Sequence, residues 1–347
     1  MAVFYLLAFV ILLFGVRIQR EGFFADSLSK EQTNAIKGFF ILMVFISHCM
    51  LDIRKTGYEF VGQLDSIGMQ IRSEFGQLVV VMFLFYSGFG VMESYIQKGR
   101  DYVKTFPKNR ILTTLLNFDI AVVAFVVLDF LLGIKLGWKQ VVLSLSGWES
   151  VGNSNWYIFV VLFCYCVAYV AFLTIPSNSN RRKALWVASL LIVVGMVALS
   201  FLKPSRWYNT ILCFPAGMFL STYKDRILFI CKGHYLLALL ISLVVFVVFR
   251  VLPLPSLHGL IFNIQGIAFA FLVFLLTMKI KTGNVVLHWL GINLFPIYIY
   301  QRIPMVAIAG IAGGQFVCNY PFVFIVSCFV VTCLIALGYK YWRIKFC

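Results

Sequence analysis

Charge is what this sequence lacks most: of 347 residues, only 12% are Asp, Glu, Lys or Arg, about half the share in a soluble globular domain. With 62% hydrophobic residues and a mean hydropathy of +0.94, that scarcity excludes a soluble enzyme. It implies an all-α, polytopic transmembrane helical bundle. No connection between apolar stretches is long enough to form a separate soluble domain. There is no Cys-x-x-Cys pair. The nine cysteines lie mostly within or beside apolar stretches, which makes them small packing residues. The four histidines are not at ligand spacing, so no metal is expected. The first residues lack a basic segment and a small-residue cleavage site, and they read as a retained helix.

Apolar stretches fall at about 2–18, 35–53, 76–95, 111–134, 156–175, 184–202, 207–223, 234–252, 258–278, 285–303 and 319–341, eleven candidate spans. The net charge of +16 would suit nucleic acid if it were clustered on one soluble face. Instead, alternate connections carry 20 basic residues against 9 on the other side. That is the positive-inside pattern: an outer N-terminus, a cytoplasmic C-terminus and no nucleic-acid partner.

His48 stands inside the second apolar stretch. An imidazole is costly in lipid unless it meets a polar cavity or a partner. Lys37 precedes it by eleven positions, about three turns and roughly 16 Å of helix axis, so the two share a face at different depths. Two readings fit: a structural histidine with a snorkelling lysine, or a site. Asp52, four residues on, lies on the same face and is a candidate carboxylate partner for the imidazole, or a solvated helix-end aspartate.

Ser87, Gly90, Ser94 and Gln97 make a small polar stripe on the third stretch, fitting either helix packing or a site. Five basic residues follow between Lys98 and Arg110, suited to lipid headgroups or to a nucleotide phosphate. Lys37, Glu93 and Arg110 lie near the cytoplasmic ends of their spans. His48, Asp52, Asn155, Trp156 and Gln301 lie near outer ends. Phe60, Leu64, Ile67, Ile71 and Phe75 recur at helical spacing and predict an amphipathic helix over the outer opening.

Several motifs then occur in order: Asn34 to His48, Phe85-Tyr-Ser-Gly-Phe89, Phe106-Pro-Lys-Asn-Arg110, Ser154-Asn-Trp-Tyr157, Phe214-Pro-Ala-Gly217 and Leu290-Gly-Ile-Asn-Leu-Phe-Pro-Ile-Tyr-Ile-Tyr-Gln301. The set resembles acyltransferase family 3, integral-membrane O-acyltransferases of cell-surface sugars, over roughly residues 34–341. Relatives carry an arginine where this chain has Lys37, a cation without the bidentate fork. They often have a basic residue at Pro107 and a histidine at Gln301.

The resemblance implies residues 34–347 as the membrane acyltransferase domain, preceded at 1–33 by an extra hydrophobic helix and a cytoplasmic connector. It implies an acyl-CoA co-substrate, usually acetyl-CoA, with no tightly bound cofactor, and a hydroxyl of a cell-surface or lipid-linked sugar as acceptor. Lys37, Ser87, Glu93 and Arg110 are then donor-side candidates, and Asn155, Trp156 and Gln301 acceptor-side ones. His48 is the catalytic candidate, as general base or transient acyl carrier, with Asp52 beside it. Trp156 by itself reads most simply as an interfacial anchor. A transporter or flippase of polysaccharide or lipid, and a non-catalytic membrane sensor of the same fold, are the competing classes. Membrane lipids are the remaining expected partners, in a bacterial cytoplasmic membrane.

Overall fold

The computed structural model describes residues 1–175, 180–252 and 257–346. A short helix, α1 (Ala2–Leu13), leads through strand β1 (Val16–Ile18) into α2 (Lys30–Lys55). Ser29 begins α2 by accepting a hydrogen bond from the Gln32 amide at 3.2 Å. Glu31 sits in its first turn and Arg54 and Lys55 in its last, matching the helix dipole. The expected amphipathic helix forms as α3 (Gln63–Phe75), with Leu64 and Ile67 exposed.

The polar stripe rides on α4 (Leu78–Lys98), which continues past Gly99 into α5 (Arg100–Phe106) and α6 (Thr113–Leu131). After α7 (Trp138–Leu145), helices α8 (Asn155–Thr174), α9 (Arg181–Leu202) and α10 (Cys213–Thr222) follow. Next, α11 (Lys224–Gly233) bends by 103° into α12 (Tyr235–Val251). The chain closes with α13 (His258–Lys279), strand β2 (Ile280–Thr282), α14 (Val285–Ile292), α15 (Leu294–Tyr300), α16 (Arg302–Asn319) and α17 (Pro321–Gly338).

Eight helices among the described residues are long and apolar enough to cross a membrane, nine if the bent pair counts as one span. The chain is an all-α polytopic membrane protein. Two of the apolar stretches form shorter helices, α1 and α10. The stretch at 285–303 breaks at Asn293 into α14 and α15, and the apolar length there runs over Leu294–Asn319. Asn284 starts α14 by accepting from the amides of Val286 at 2.9 Å and Leu287 at 3.1 Å. The side chain of Asn293 then turns back to the Trp289 carbonyl at 2.9 Å.

The most buried spans are α2 and the stretch containing α4, while α12 has no buried residue. Two glycine contacts set this arrangement. A Cβ on Gly38 would meet the Leu287 carbonyl oxygen at 1.8 Å, and one on Gly291 the Asn34 oxygen at 1.8 Å, so α14 lies backbone against backbone on α2. Gly88 and Gly217 do the same for α4 and α10, each 1.9 Å from a facing carbonyl oxygen. Glycine permits such approach where any side chain would hold helices apart.

The connector after α1 is tied to the same end of the bundle as β2. β1 pairs antiparallel with β2, with Arg17 opposite Lys281. Asp26 accepts from Lys281, and this partner holds the Asp26 carboxyl below its ordinary range. With 98–110, 181–183, 224–232 and 340–345, these segments form the basic end of the molecule. Cysteines substituted over 99–109 are expected to react with impermeant reagent only from the cytoplasmic side; labelling from outside would reverse the topology.

Candidate active site

A cavity of about 1000 Å³ opens at the basic end, between the connector 25–30 and Lys98, and runs into the bundle among α2, α4, α6 and α8. On α2 its wall is Lys30, Thr33, Asn34 and Lys37. On α4 the small polar stripe faces it: Ser87, Gly90, Ser94 and Gln97 all line it. From Lys98 to Phe83 it follows α4 for 15 residues, roughly 22 Å of axis. Phe83 and Tyr157 line its deep end, their ring centroids 6.0 Å apart.

Lys37, Ser87, Glu93 and Arg110, named from sequence as donor-side residues, therefore share one cavity. Arg110 is delivered by a π-helical turn, Pro107–Leu112, between α5 and α6. Thr113 closes that turn on the Lys108 carbonyl, its hydroxyl bonding at 2.7 Å. Such turns insert an extra residue and re-aim a side chain, often at functional sites. The hydroxyls of Tyr102 and Tyr165 flank the guanidinium, and Tyr165 is also hydrogen-bonded to Ser87 at 2.8 Å. Arg110 is the charged neighbour of Lys37. Neither cation forms an ion pair among the described residues.

The nearby carboxylate is already occupied. Glu93 accepts from Lys224 at 2.9 Å, Ser221 at 3.0 Å and Gln97 at 3.0 Å. Two uncompensated cations facing a deep polar cavity make an anion-binding arrangement, since a buried positive charge gains most from a phosphate or carboxylate ligand.

His48 does not line this cavity. It lies on α2 toward the opposite end, half-buried, with Nδ1 buried and unpartnered. Asp52, Arg302 and Arg72 are among its charged neighbours. The expected imidazole–carboxylate pair is not formed: Asp52 instead accepts from Lys55 at 2.6 Å and Arg302 at 3.3 Å. The carboxylate goes to the charged donors that reach it.

Nor are the acceptor-side candidates assembled in the cavity. Asn155 is buried and donates to the Gly147 carbonyl at 2.7 Å, a loop-closing role. Gln301 is fully buried, donating to the Tyr298 carbonyl at 3.2 Å and leaving Oε1 without a partner. Trp156 stands edge-on to Tyr157 at 6.1 Å. Tyr157 packs in turn on Tyr298, 5.0 Å between centroids. A continuous aromatic layer of Phe83, Tyr157 and Tyr298 thus connects the deep end of the cavity with the residues next to Gln301 and Arg302.

Sequence reasoning missed Phe83, Tyr157, Tyr165 and Lys224 as lining residues. A signal existed for α8, where Tyr157, Val161 and Tyr165 recur every four residues on one face and all line the cavity. Asp119 stays outside the lining, and Asn117 instead clasps the C-terminal segment, exchanging hydrogen bonds with Ile344 at 2.9 Å. No three His, Cys, Asp or Glu side chains converge as a metal-ligand set among the described residues.

A family model described as an acyltransferase domain matches residues 31–340. The chain belongs to the acyltransferase 3 family. No curated protein and no solved structure matches it. This membrane acyltransferase therefore carries the family's matched region from the start of α2 to just past the end of α17; that region includes His48 and most of the cavity wall, while the connector 25–30 at the cavity mouth precedes it.

Proposed function

We propose that this acyltransferase takes an acyl group, acetyl in the simplest case, from acyl-CoA held in the basic-end cavity. It transfers the group to a hydroxyl of a cell-surface or lipid-linked sugar at the opposite end of a bacterial cytoplasmic membrane. The observation that carries the donor side is the convergence of unpaired Lys37 and Arg110 on one deep cavity. The phosphates of CoA meet these cations inside the cavity, where the hydroxyl of Tyr165, bonded to Ser87, stands beside Arg110. The thioester lies toward Phe83 and Tyr157.

In the transfer, the sugar oxygen bonds to the thioester carbonyl carbon, the carbon–sulfur bond breaks, and free CoA thiol leaves. His48 takes the hydroxyl proton, which is finally delivered to the departing thiolate. In the covalent variant the imidazole first accepts the acyl group and then passes it to the sugar. Because His48 lies outside the cavity lining, both routes need a path from the deep end at Phe83 and Tyr157 to open toward it. Trp156, beside that layer, offers a ring face for stacking on the sugar.

Purified protein in liposomes, supplied with labelled acetyl-CoA, is expected to move label to an added sugar acceptor or, slowly, to water. Retention of all label on CoA across a panel of glycan acceptors would overturn the assignment. Removing both cations, Lys37→Gln with Arg110→Gln, is expected to weaken CoA binding by roughly 10²-fold, the scale of two charge-assisted hydrogen bonds. Calorimetric titration of the folded double variant measures this, and unchanged affinity would remove CoA from the cavity.

A further inference from the structure

A second concavity lies on the outside of the bundle, where α9 meets α10 and α13. It is an apolar groove of about 210 Å³ whose walls include Trp186, Ser189 and Val193 of α9 and Ala216 and Phe219 of α10. The hydroxyl of Ser189 is bonded back to the Leu185 carbonyl at 2.8 Å, so it adds no free polar group to the groove. Trp186 is 61% exposed beside it. On a membrane-spanning helix, such a face meets lipid chains.

The basic-end terminus of this groove has a distinct chemistry. Arg182 precedes Trp186, Ser189 and Val193 by four, seven and eleven residues, which puts all four on one face of α9. Its guanidinium lies 5.5 Å over the ring of Tyr223, and that ring stands 4.8 Å from Phe219 in the groove wall. Arg182 is thus braced at the groove's end. No carboxylate pairs with Arg181, Arg182 or Lys183 among the described residues. From Arg182 to Val193 the axial distance is roughly 16 Å, about half the thickness of a hydrocarbon core.

We propose that this groove is a binding site for one anionic phospholipid of the leaflet at the basic end. The phosphate sits on Arg182, with Arg181 and Lys183 adding charge, and one acyl chain lies along Trp186, Val193 and Phe219. An apolar groove with an unpaired, ring-braced arginine about one turn beyond its end complements a phosphate joined to a hydrocarbon chain. The excess positive charge selects a headgroup with net negative charge over a zwitterionic one.

The test needs no enzymatic activity and is independent of the proposed reaction. Full-length protein is stripped of lipid in detergent, then given phosphatidylglycerol or phosphatidylcholine, and bound lipid is counted by native mass spectrometry. The wild type is expected to favour phosphatidylglycerol about tenfold, the scale of one charge-assisted contact. Arg182→Gln is expected to erase that preference, and Arg182→Lys to retain part of it. Filling the groove with Ala216→Leu or Ser189→Leu is expected to reduce retention of both lipids. A wild type without preference, a preference that survives Arg182→Gln, or unchanged retention in both folded groove variants would overturn the site.

Discussion

Replacing His48 by alanine is expected to lower acyl transfer about 10²- to 10⁴-fold, the contribution of a positioned general base, while CoA binding stays at the wild-type value. The separation of the two effects follows from placement. His48 is outside the cavity wall, with Nδ1 buried and unpartnered, whereas Lys37, three turns away on the same helix, faces the cavity. Transfer of labelled acetyl and calorimetric CoA binding on the same preparation measure both quantities. Acid quenching separates the two chemical roles. A labelled acyl-histidine in the wild type, absent from His48→Ala, identifies a carrier; its absence in an active wild type identifies a base. Transfer at the wild-type rate in the folded variant would remove His48 from the chemistry. Asp52 is expected to matter less, because its carboxylate is already committed to Lys55 and Arg302.

The second large effect is structural. Gly217→Ala is expected to destabilise the fold by about 3 kcal/mol, at the upper end for overpacking. The added methyl would stand 1.9 Å from the Phe85 carbonyl oxygen and 2.8 Å from the Phe89 amide nitrogen, backbone atoms with nowhere to retreat. Relief requires α4 and α10 to separate, which displaces Phe83 and Ser87 from the cavity wall. Gly90→Ala supplies the comparison: it lies on α4, the helix that Gly217 faces, and lines the cavity, yet nothing lies within 4 Å of its added Cβ. Thermal melting followed by size-exclusion fluorescence is expected to show a clear drop for Gly217→Ala and none for Gly90→Ala. Equal melting of the two variants would mean that α4 and α10 are not held at this distance.

Much of the donor side was legible in the sequence because its signal is local. The stripe Ser87, Gly90, Ser94 and Gln97 repeats at helical spacing, and a single helix converts such a repeat into one face regardless of its neighbours. The repeat from Leu64 to Phe75 became α3 for the same reason, while Phe60 lies outside the helix. The acceptor side was not legible in that way. Depth in the membrane put His48, Asn155, Trp156 and Gln301 near one boundary, but depth leaves two dimensions free. The structure spends Asn155 on the Gly147 carbonyl and buries Gln301 against Tyr298.

By itself the sequence determined the class, the helical periodicity and the uneven distribution of basic residues, together with the ordered motifs of the family. Each is a property of composition or of one continuous segment, and lipid enforces it because every backbone polar group must be satisfied within a helix. The tertiary structure decided which side chains meet. Arg110 shares a cavity with Lys37 because a π-helical turn delivers it there and α6 packs where it does. Asp52 pairs with Arg302, 250 residues away, in place of the histidine one turn before it. Such contacts depend on how closely helices approach, and that distance is set by glycines on two different segments at once: Gly38 with Gly291, and Gly88 with Gly217. No periodicity within a single helix encodes it.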